Sequence, residues 1–356
     1  MRDRVVVCMS GGVDSTVAAL ILKERGHEVA GLTFWFWSFA GAPDYAGRTK
    51  CCSIDAATQA AAEVGIPHET IDLSDSFREL VLLDYVKRYR AGETPNPCAR
   101  CNRLLRFGSA LDYARENGFD AVATGHHVRR AEGDGRFTLL RGVDPEKDQS
   151  YFLYALQQDE LERLVFPVGA RTKAEIVEIA RSRRLTCAAL PESQDLCFAL
   201  RGETRFLFEE ADFAPGPILD LHGRELGRHN GLPNYTVGQR RGLRIPSSQP
   251  LYVIDLDPER NAVIVGGTSV LSRTWLAATD ASYVSGEPPE DGRKVDAKIR
   301  YRSPASPARL ETPTARRFAL QFKEAQRAIT PGQIAAIYDE EQLLGGGTIA
   351  RVKSNP

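Results

Sequence analysis

The residues whose types and spacing most clearly promise chemistry are Ser10-Gly11-Gly12-Val13-Asp14-Ser15, set between an apolar run and an amphipathic stretch. Gly11 and Gly12 carry no side chains, so backbone amides there can close around phosphate oxygens. A helix opening at the same point adds its N-terminal amides and the positive end of its dipole. Ser10 and Ser15 can add hydroxyl donors, and Asp14 can hold a magnesium ion or order the loop. A Walker loop needs Lys before Ser or Thr, and the chain contains no Gly-Lys dipeptide. A bare Gly-Gly would read as a tight strand-to-helix turn. The full pattern in this context reads as a nucleotide-phosphate site.

The second constellation is Thr94-Pro95-Asn96-Pro97-Cys98-Ala99-Arg100-Cys101-Asn102. Two prolines make a rigid approach and the cysteines open a helix, where Arg100 and the helix end should favour the reactive thiolate. A third cysteine is distant, in Ser193-Gln194-Asp195-Leu196-Cys197-Phe198. A lone C-x-x-C also fits a redox pair or half a zinc site. Cys51-Cys52 could complete such a site, but adjacent cysteines suit tetrahedral closure poorly, and packing is their default. Cys8 and Cys187 read as small packed residues. The candidates are Cys98, Cys101 and Cys197, and no metal is assigned.

These residues need a scaffold, and 356 residues suffice for two or three domains. With 42% hydrophobic and 26% charged residues the composition is that of a soluble globular protein. No stretch approaches the roughly 20 apolar residues that span a bilayer. Met1 to Arg4 runs into Val5-Val6-Val7 without a signal-peptide core, so a cytoplasmic location and thiols rather than disulfides are expected. Val5 to Met9, Val29 to Phe34, Pro67 to Leu73 and Ala121 to Thr124 read as strands. Helices lie between them: one through about Arg25, one capped by Ser53, and one over roughly Asn102 to Asn117. That alternation predicts an α/β fold with a doubly wound parallel sheet. Thr172 and Glu175 form a capping box for a further helix to about Arg183. Beyond about residue 200 the chain turns Gly- and Pro-rich, and from Leu251 it reads as strands of a terminal β-barrel. The expected domains are 1–200, 201–250 and 251–356. The net charge of −1 names no partner, but Arg100, Arg103 and Arg106, then Arg240, Arg241 and Arg244, then Lys298, Arg300 and Arg302 are clusters that suit RNA.

Further motifs extend the pattern: Thr124-Gly125-His126-His127, Leu140 to Asp144, Lys147 to Leu153, Tyr235 to Leu243, Lys298 to Arg302 and Thr330 to Gln333. With the loop and the cysteine runs, they make almost the whole chain resemble the tRNA-specific 2-thiouridylase family of the pyrophosphate-loop ATP pyrophosphatases. The resemblance implies an adenine nucleotide alpha-hydrolase-like N-terminal domain, a small central β-rich domain and a C-terminal β-barrel, embracing tRNA. It implies ATP with Mg2+, and sulfur placed on C2 of the wobble uridine of tRNAs for Lys, Glu and Gln. A cysteine desulfurase or a sulfur-relay protein would supply the sulfur, and no membrane is involved. By motif position Cys101 is the nucleophile and Cys197 the persulfide carrier. ATP contacts fall on Cys8, Met9, Ser10, Gly11, Gly12, Val13, Asp14, Ser15, Phe34 and Gly125. Target-base contacts fall on Asn96, Pro97 and Cys98, and tRNA contacts on Lys147, Asp148, Gln149, Arg300 and Tyr301. The chain departs from the family pattern at Cys98, which is Asp in some relatives, at His127, commonly Tyr, and at Cys8, often Gly.

The implied chemistry is consistent with the residues. Adenylation turns the uridine C2 oxygen into a leaving group, a persulfide on Cys197 supplies sulfur, and Cys101 resolves the persulfide into a disulfide. A rival assigns Cys98, Cys101 and Cys197 to a [4Fe–4S] cluster with one open iron, which this spacing permits without demanding. A small-molecule adenylating synthetase would share the loop but leave the dispersed cysteines unexplained. A silent tRNA-binding protein would explain the basic groups but not an intact loop.

Overall fold

The computed structural model describes residues 3–37, 54–191, 196–199 and 203–351. Cys51, Cys52, the expected cap Ser53 and Ser193 to Asp195 lie outside the described residues. Seven strands precede residue 166: β1 (Arg4–Cys8), β2 (Glu28–Trp35), β3 (His68–Asp72), β4 (Ala121–Thr124), β5 (Val128–Gly133), β6 (Arg136–Arg141) and β7 (Leu164–Val165). Five form one sheet in the order β3-β2-β1-β4-β7, every pair parallel. Its central strands β1 and β4 are apolar on both faces because both are covered. Val5 and Val7 of β1 face the helices Val13–Glu24, Ile54–Val64 and Lys173–Ser182. Val6 and Cys8 face the helical segments spanning 74–90 and 97–116. Each of those segments contains a π-helical turn, Arg78–Leu82 and Asn102–Arg106, and the second begins immediately after Cys101.

The central unit is a sheet of β8 (Gly216–Leu219), β9 (Glu225–His229), β10 (Tyr252–Asp257) and β11 (Ala262–Gly266), ordered β10-β11-β8-β9. This corrects the boundary expected at residue 250. β10 and β11 were expected in the barrel, but Val253, Leu256, Val263 and Val265 pack with Ile218 and Leu232 in a separate core. The barrel itself is β12 (Ser272–Tyr283), β13 (Lys294–Lys298), β14 (Ser306–Thr314), β15 (Arg317–Arg327), β16 (Ile334–Asp339) and β17 (Gln342–Ile349). It runs β12-β15-β14-β13-β16-β17, and β17 pairs back to β12, which closes it. Phe318, Leu320 and Phe322 fill its interior, as their alternation predicts.

One element was not foreseen. β5 and β6 form a hairpin that leaves the first sheet and adds β6 to the barrel edge, with Leu140 opposite Gln342 and Leu139 opposite Leu343. Its Asp134-Gly135 turn has φ of 52° and 69°, the pair of positive values a tight hairpin needs. The interface is packed like an interior: Leu139, Tyr151 and Leu153 share one core with Ile334, Tyr338 and Leu343. Among the described residues no helix is long and apolar enough to cross a membrane.

Candidate active site

Strand order in the first sheet reverses between β1 and β4, and ligands of such sheets bind at the carboxyl ends beside that point. The chain leaves β1 into Ser10–Gly12 and leaves β4 into Gly125–His127, so both motifs emerge there. Gly11 has φ of 77°, and a Cβ on it would lie 2.6 Å from Cβ of Ala56. A Cβ on Gly125 would lie 2.6 Å from the amide nitrogen of Ser15. Gly125 is therefore more than a strand end: its bareness lets the β4 exit lie against the first turn of the following helix. Ser15 Oγ accepts from the Ser10 amide at 3.2 Å and donates to the Gly12 carbonyl at 3.1 Å, so hydroxyls knit the loop.

Asp14 is held from two sides. Lys173 Nζ donates to both carboxylate oxygens at 2.8 Å, and His127 Nε2 lies 3.0 Å from Oδ1. A carboxylate only accepts, so Nε2 carries the hydrogen. Burial alone would raise the Asp14 pKa, but the His127 hydrogen bond and the Lys173 charge outweigh it, and the carboxyl is held below its ordinary value. These contacts tie the loop to the exit of β4 and to the helix Lys173–Ser182. Next door, burial and then Arg106 push His126 down to about 3, so its ring is neutral at physiological pH.

The cysteine helix forms as its sequence dictates. Asn96 Oδ1 accepts from the Ala99 amide at 3.0 Å, and Pro97 occupies the first turn where its missing N–H costs nothing. Cys101 points into the core while Cys98 is exposed. Arg100 follows Cys98 by two positions and also faces the preceding helical segment. Its guanidinium reaches Asp84 at 3.2 Å and the Leu80 carbonyl at 2.5 Å. The approach is braced by the barrel: Gln333 Nε2 donates to the Thr94 carbonyl, and the Thr94 amide donates to the Pro331 carbonyl, both at 2.8 Å. Cys197 is half-buried and is anchored by its neighbour Phe198, whose ring packs edge-on against Tyr85 at 5.3 Å.

One cleft of about 1860 Å³ brings these parts together. That exceeds the roughly 300–1,000 Å³ of small-molecule pockets, so it can admit part of a macromolecule. Cys8, the run Ser10 to Ser15 and Gly125 line it, as do Asn96, Pro97, Cys98, Cys101 and Cys197. Lys147, Asp148, Gln149 and Tyr301 lie on its wall, where Tyr301 packs on Phe152 with centroids 4.4 Å apart. Asp148 is buried and accepts from the Gly142 and Ser150 amides, so it shapes that wall.

The side chains of three expected site residues pack outside this lining. The Met9 side chain packs in the opposite core beneath the first helix. Phe34 is buried against Phe36, centroids 5.9 Å apart, because alternation along β2 turns it into the core. Arg300 donates to the Ala328 carbonyl and to Thr330 Oγ1, tying strands of its own domain. Nor is the cluster reading supported: among the described residues no three His, Cys, Asp or Glu side chains form a group that could hold a metal ion. Burial pushes the Cys8 thiol up to about 11, against the opposing charge of Arg106. Sequence reasoning missed Lys173, His127 and Gln333 as site residues. Lys173 meets Asp14 across 159 positions, a proximity that no local spacing encodes.

Comparison with known proteins agrees with this division. Three family models match in succession: a tRNA methyl transferase HUP domain over residues 3–201, a tRNA methyl transferase PRC-barrel domain over 204–267 and an aminomethyltransferase β-barrel domain over 273–349. The tRNA-specific 2-thiouridylase MnmA of Roseiflexus castenholzii is 46% identical over 370 residues, covering 98% of this chain and 99% of that protein. That of Chloroflexus aurantiacus is 46% identical over 98% of both chains, and that of Moorella thermoacetica 45% identical over 98% of this chain and 99% of its own. Similarity of this extent, over a sheet, loop and cysteine helix arranged as described, shows that the chain belongs to the tRNA-specific 2-thiouridylase family.

Proposed function

We propose that this protein is an ATP-dependent tRNA-uridine 2-sulfurtransferase of the cytoplasm, acting on the wobble uridine of tRNAs for Lys, Glu and Gln. The observation that carries the reading is the single cleft lined by both the phosphate-type loop and Cys98, Cys101 and Cys197. The uridine C2 oxygen attacks the α-phosphate of ATP, and the α–β bridging bond breaks with its electron pair leaving on pyrophosphate. The Gly11 and Gly12 amides, beside the positive end of the helix Val13–Glu24, suit the charge that develops. Magnesium bound with the nucleotide would add positive charge on the same oxygens. The terminal sulfur of a Cys197 persulfide then attacks C2 and AMP departs. Cys101 thiolate attacks Sγ of Cys197, which frees the sulfur as the thiocarbonyl and leaves a Cys101–Cys197 disulfide for an external thiol to reduce. The target base must leave the anticodon stack, and Tyr301 with Phe152 offers it an aromatic wall.

The test is reconstitution with unmodified transcripts, ATP and a cysteine desulfurase, read by nucleoside mass spectrometry and by AMP and pyrophosphate release. Release that requires a tRNA with an unmodified wobble uridine, together with 2-thiouridine, is the expected result. Release driven by a free metabolite without tRNA would instead identify a small-molecule synthetase.

A further inference from the structure

Along β13 the barrel interior takes Val295, Ala297 and the following Ile299, so alternation turns Lys298 outward onto the wall of the cleft. Lys298 is only 9% exposed, and among the described residues its ammonium makes no hydrogen bond or ion pair. Nζ lies 5.5 Å from the centroid of the Tyr301 ring. Asp148 attracts it, but that carboxylate is already occupied. Its Oδ1 accepts from the Gly142 and Ser150 amides, both at 3.1 Å, and its Oδ2 from the Ser150 hydroxyl at 2.9 Å. Burial, with the charge of Arg141 beside it, holds the ammonium below its ordinary pKa even against Asp148. Arg141 is fixed at the backbone: its amide donates to the Glu341 carbonyl and its carbonyl accepts from Arg129 Nε, both at 2.8 Å. Its guanidinium lies over the Tyr338 ring at 4.0 Å, and its buried Nε has no hydrogen-bond partner among the described residues. Two cations with unfilled donors on one wall, both largely out of water, are costly unless an anion completes them.

We propose that Arg141 and Lys298 form a phosphate subsite that takes one backbone phosphodiester of the RNA beside the target uridine. The inference rests on reading the substrate as tRNA, and it names the groups that hold the strand while its base reacts. The ligand chemistry follows from the neighbours. Tyr301 and Phe152 offer a base an aromatic face, and Lys298 Nζ stands within a nucleotide's reach of that face. The guanidinium presents planar donors to phosphate oxygens, and the ammonium adds a point charge. Arg300, two positions after Lys298, is committed to Ala328 and Thr330, so Lys298 is the cation of this run that remains for the strand at the cleft wall. Arg141 comes from the β5–β6 hairpin and Lys298 from the barrel, so the subsite exists only where β6 is joined to β17. A phosphate held there touches both domains and fixes the strand in register without reading its sequence.

The test uses the full chain with Lys298→Met and Arg141→Gln, and an unmodified tRNA transcript titrated at several salt concentrations. Each variant should bind about tenfold more weakly, with a log–log salt slope smaller by about 0.7, the loss of one single-strand phosphate contact. Lys298→Met should melt no lower than wild type, because it removes a buried charge that has no partner. Transcripts carrying one neutral methylphosphonate, moved through the linkages next to the wobble uridine, then locate the contact. One linkage should weaken wild type by about tenfold and Lys298→Met by less than about twofold, the coupling expected of groups in contact. Equal loss in both proteins at every linkage, or salt slopes equal to wild type in both variants, overturns the proposal. Inhibition by AMP should stay within about twofold of wild type. If it weakens while the salt slope holds, the anion is the nucleotide's phosphate and the proposal falls. If Lys298→Met does not fold, as judged by its melting, Arg141→Gln is carried through the same methylphosphonate series and decides by the same outcomes. A wild-type protein that binds the transcript but forms no 2-thiouridine sinks the functional reading, while the slopes still judge the subsite.

Discussion

A thiol attacks as its thiolate, and Cys8 sits where burial pushes its pKa up to about 11, so at neutral pH it is a packing group at the loop's edge. Cys187, also buried and shifted upward by burial, belongs to the core beneath the first helix. Cys197, on the cleft wall, is more exposed than either. Cys197→Ser should abolish 2-thiouridine formation with tRNA affinity within about twofold, whereas Cys187→Ala should retain thiolation and lose about 1 kcal/mol of stability. Retained thiolation in the first variant would remove Cys197 from the mechanism. Asp14 makes a pH-dependent prediction. Its carboxyl is held low in the folded chain, because its partners outweigh the effect of burial. Its stabilisation is therefore present above the unfolded value of about 3.9 and is lost as pH falls through the lower folded value. Asp14→Asn should cost about 1–2 kcal/mol at pH 7. That gap to wild type should shrink in urea melts below about pH 4, and a constant gap would contradict the pairing.

At the level of elements, what depends on neighbours in the chain is legible in the sequence. Ala121 to Thr124 is the strand that its apolar run predicts, and the Thr172–Glu175 capping box starts its helix as expected. Gly11 and Gly12 mark the loop because only bare backbone fits at Gly11. What escapes is decided at a distance. The turn of the β5–β6 hairpin is written in Asp134-Gly135, but nothing nearby in the chain says that its edge pairs with β17. β10 and β11 look like barrel strands by composition, and only the apolar partners Ile218 and Leu232 assign them to the central sheet. The need for glycine at 125 likewise comes from Ser15, more than a hundred positions earlier. Gly125→Ala should cost about 1–3 kcal/mol by overpacking and depress AMP formation. Gly133→Ala, with nothing within 4 Å of its added methyl, should stay within about 0.5 kcal/mol of wild type. Comparable melting of the two variants would show that the close approach at Gly125 is not maintained.

Across the whole molecule, charge and packing are divided between the surface and the domain seams. Arg240, Arg241 and Arg244 are exposed, whereas Arg300 is committed to Ala328 and Thr330. Replacing Arg240 and Arg241 by Ser should reduce the log–log salt slope of tRNA binding by about one for each phosphate no longer neutralised. Arg300→Ala should leave that slope unchanged and lower the melting temperature instead; the opposite pattern in binding titrations at several salt concentrations would reverse the assignment. The graft of β6 onto β17 has a consequence during synthesis. Leu140 leaves the ribosome about 200 residues ahead of its partner Gln342, which at roughly 5–20 residues per second is about 10–40 s. Throughout that interval the nascent N-terminal half displays an unsatisfied strand border, a ready template for sticking to its neighbours on a polysome. The flanking Arg136 and Arg141, by mutual repulsion between copies, are suited to guard that border until the last strand arrives.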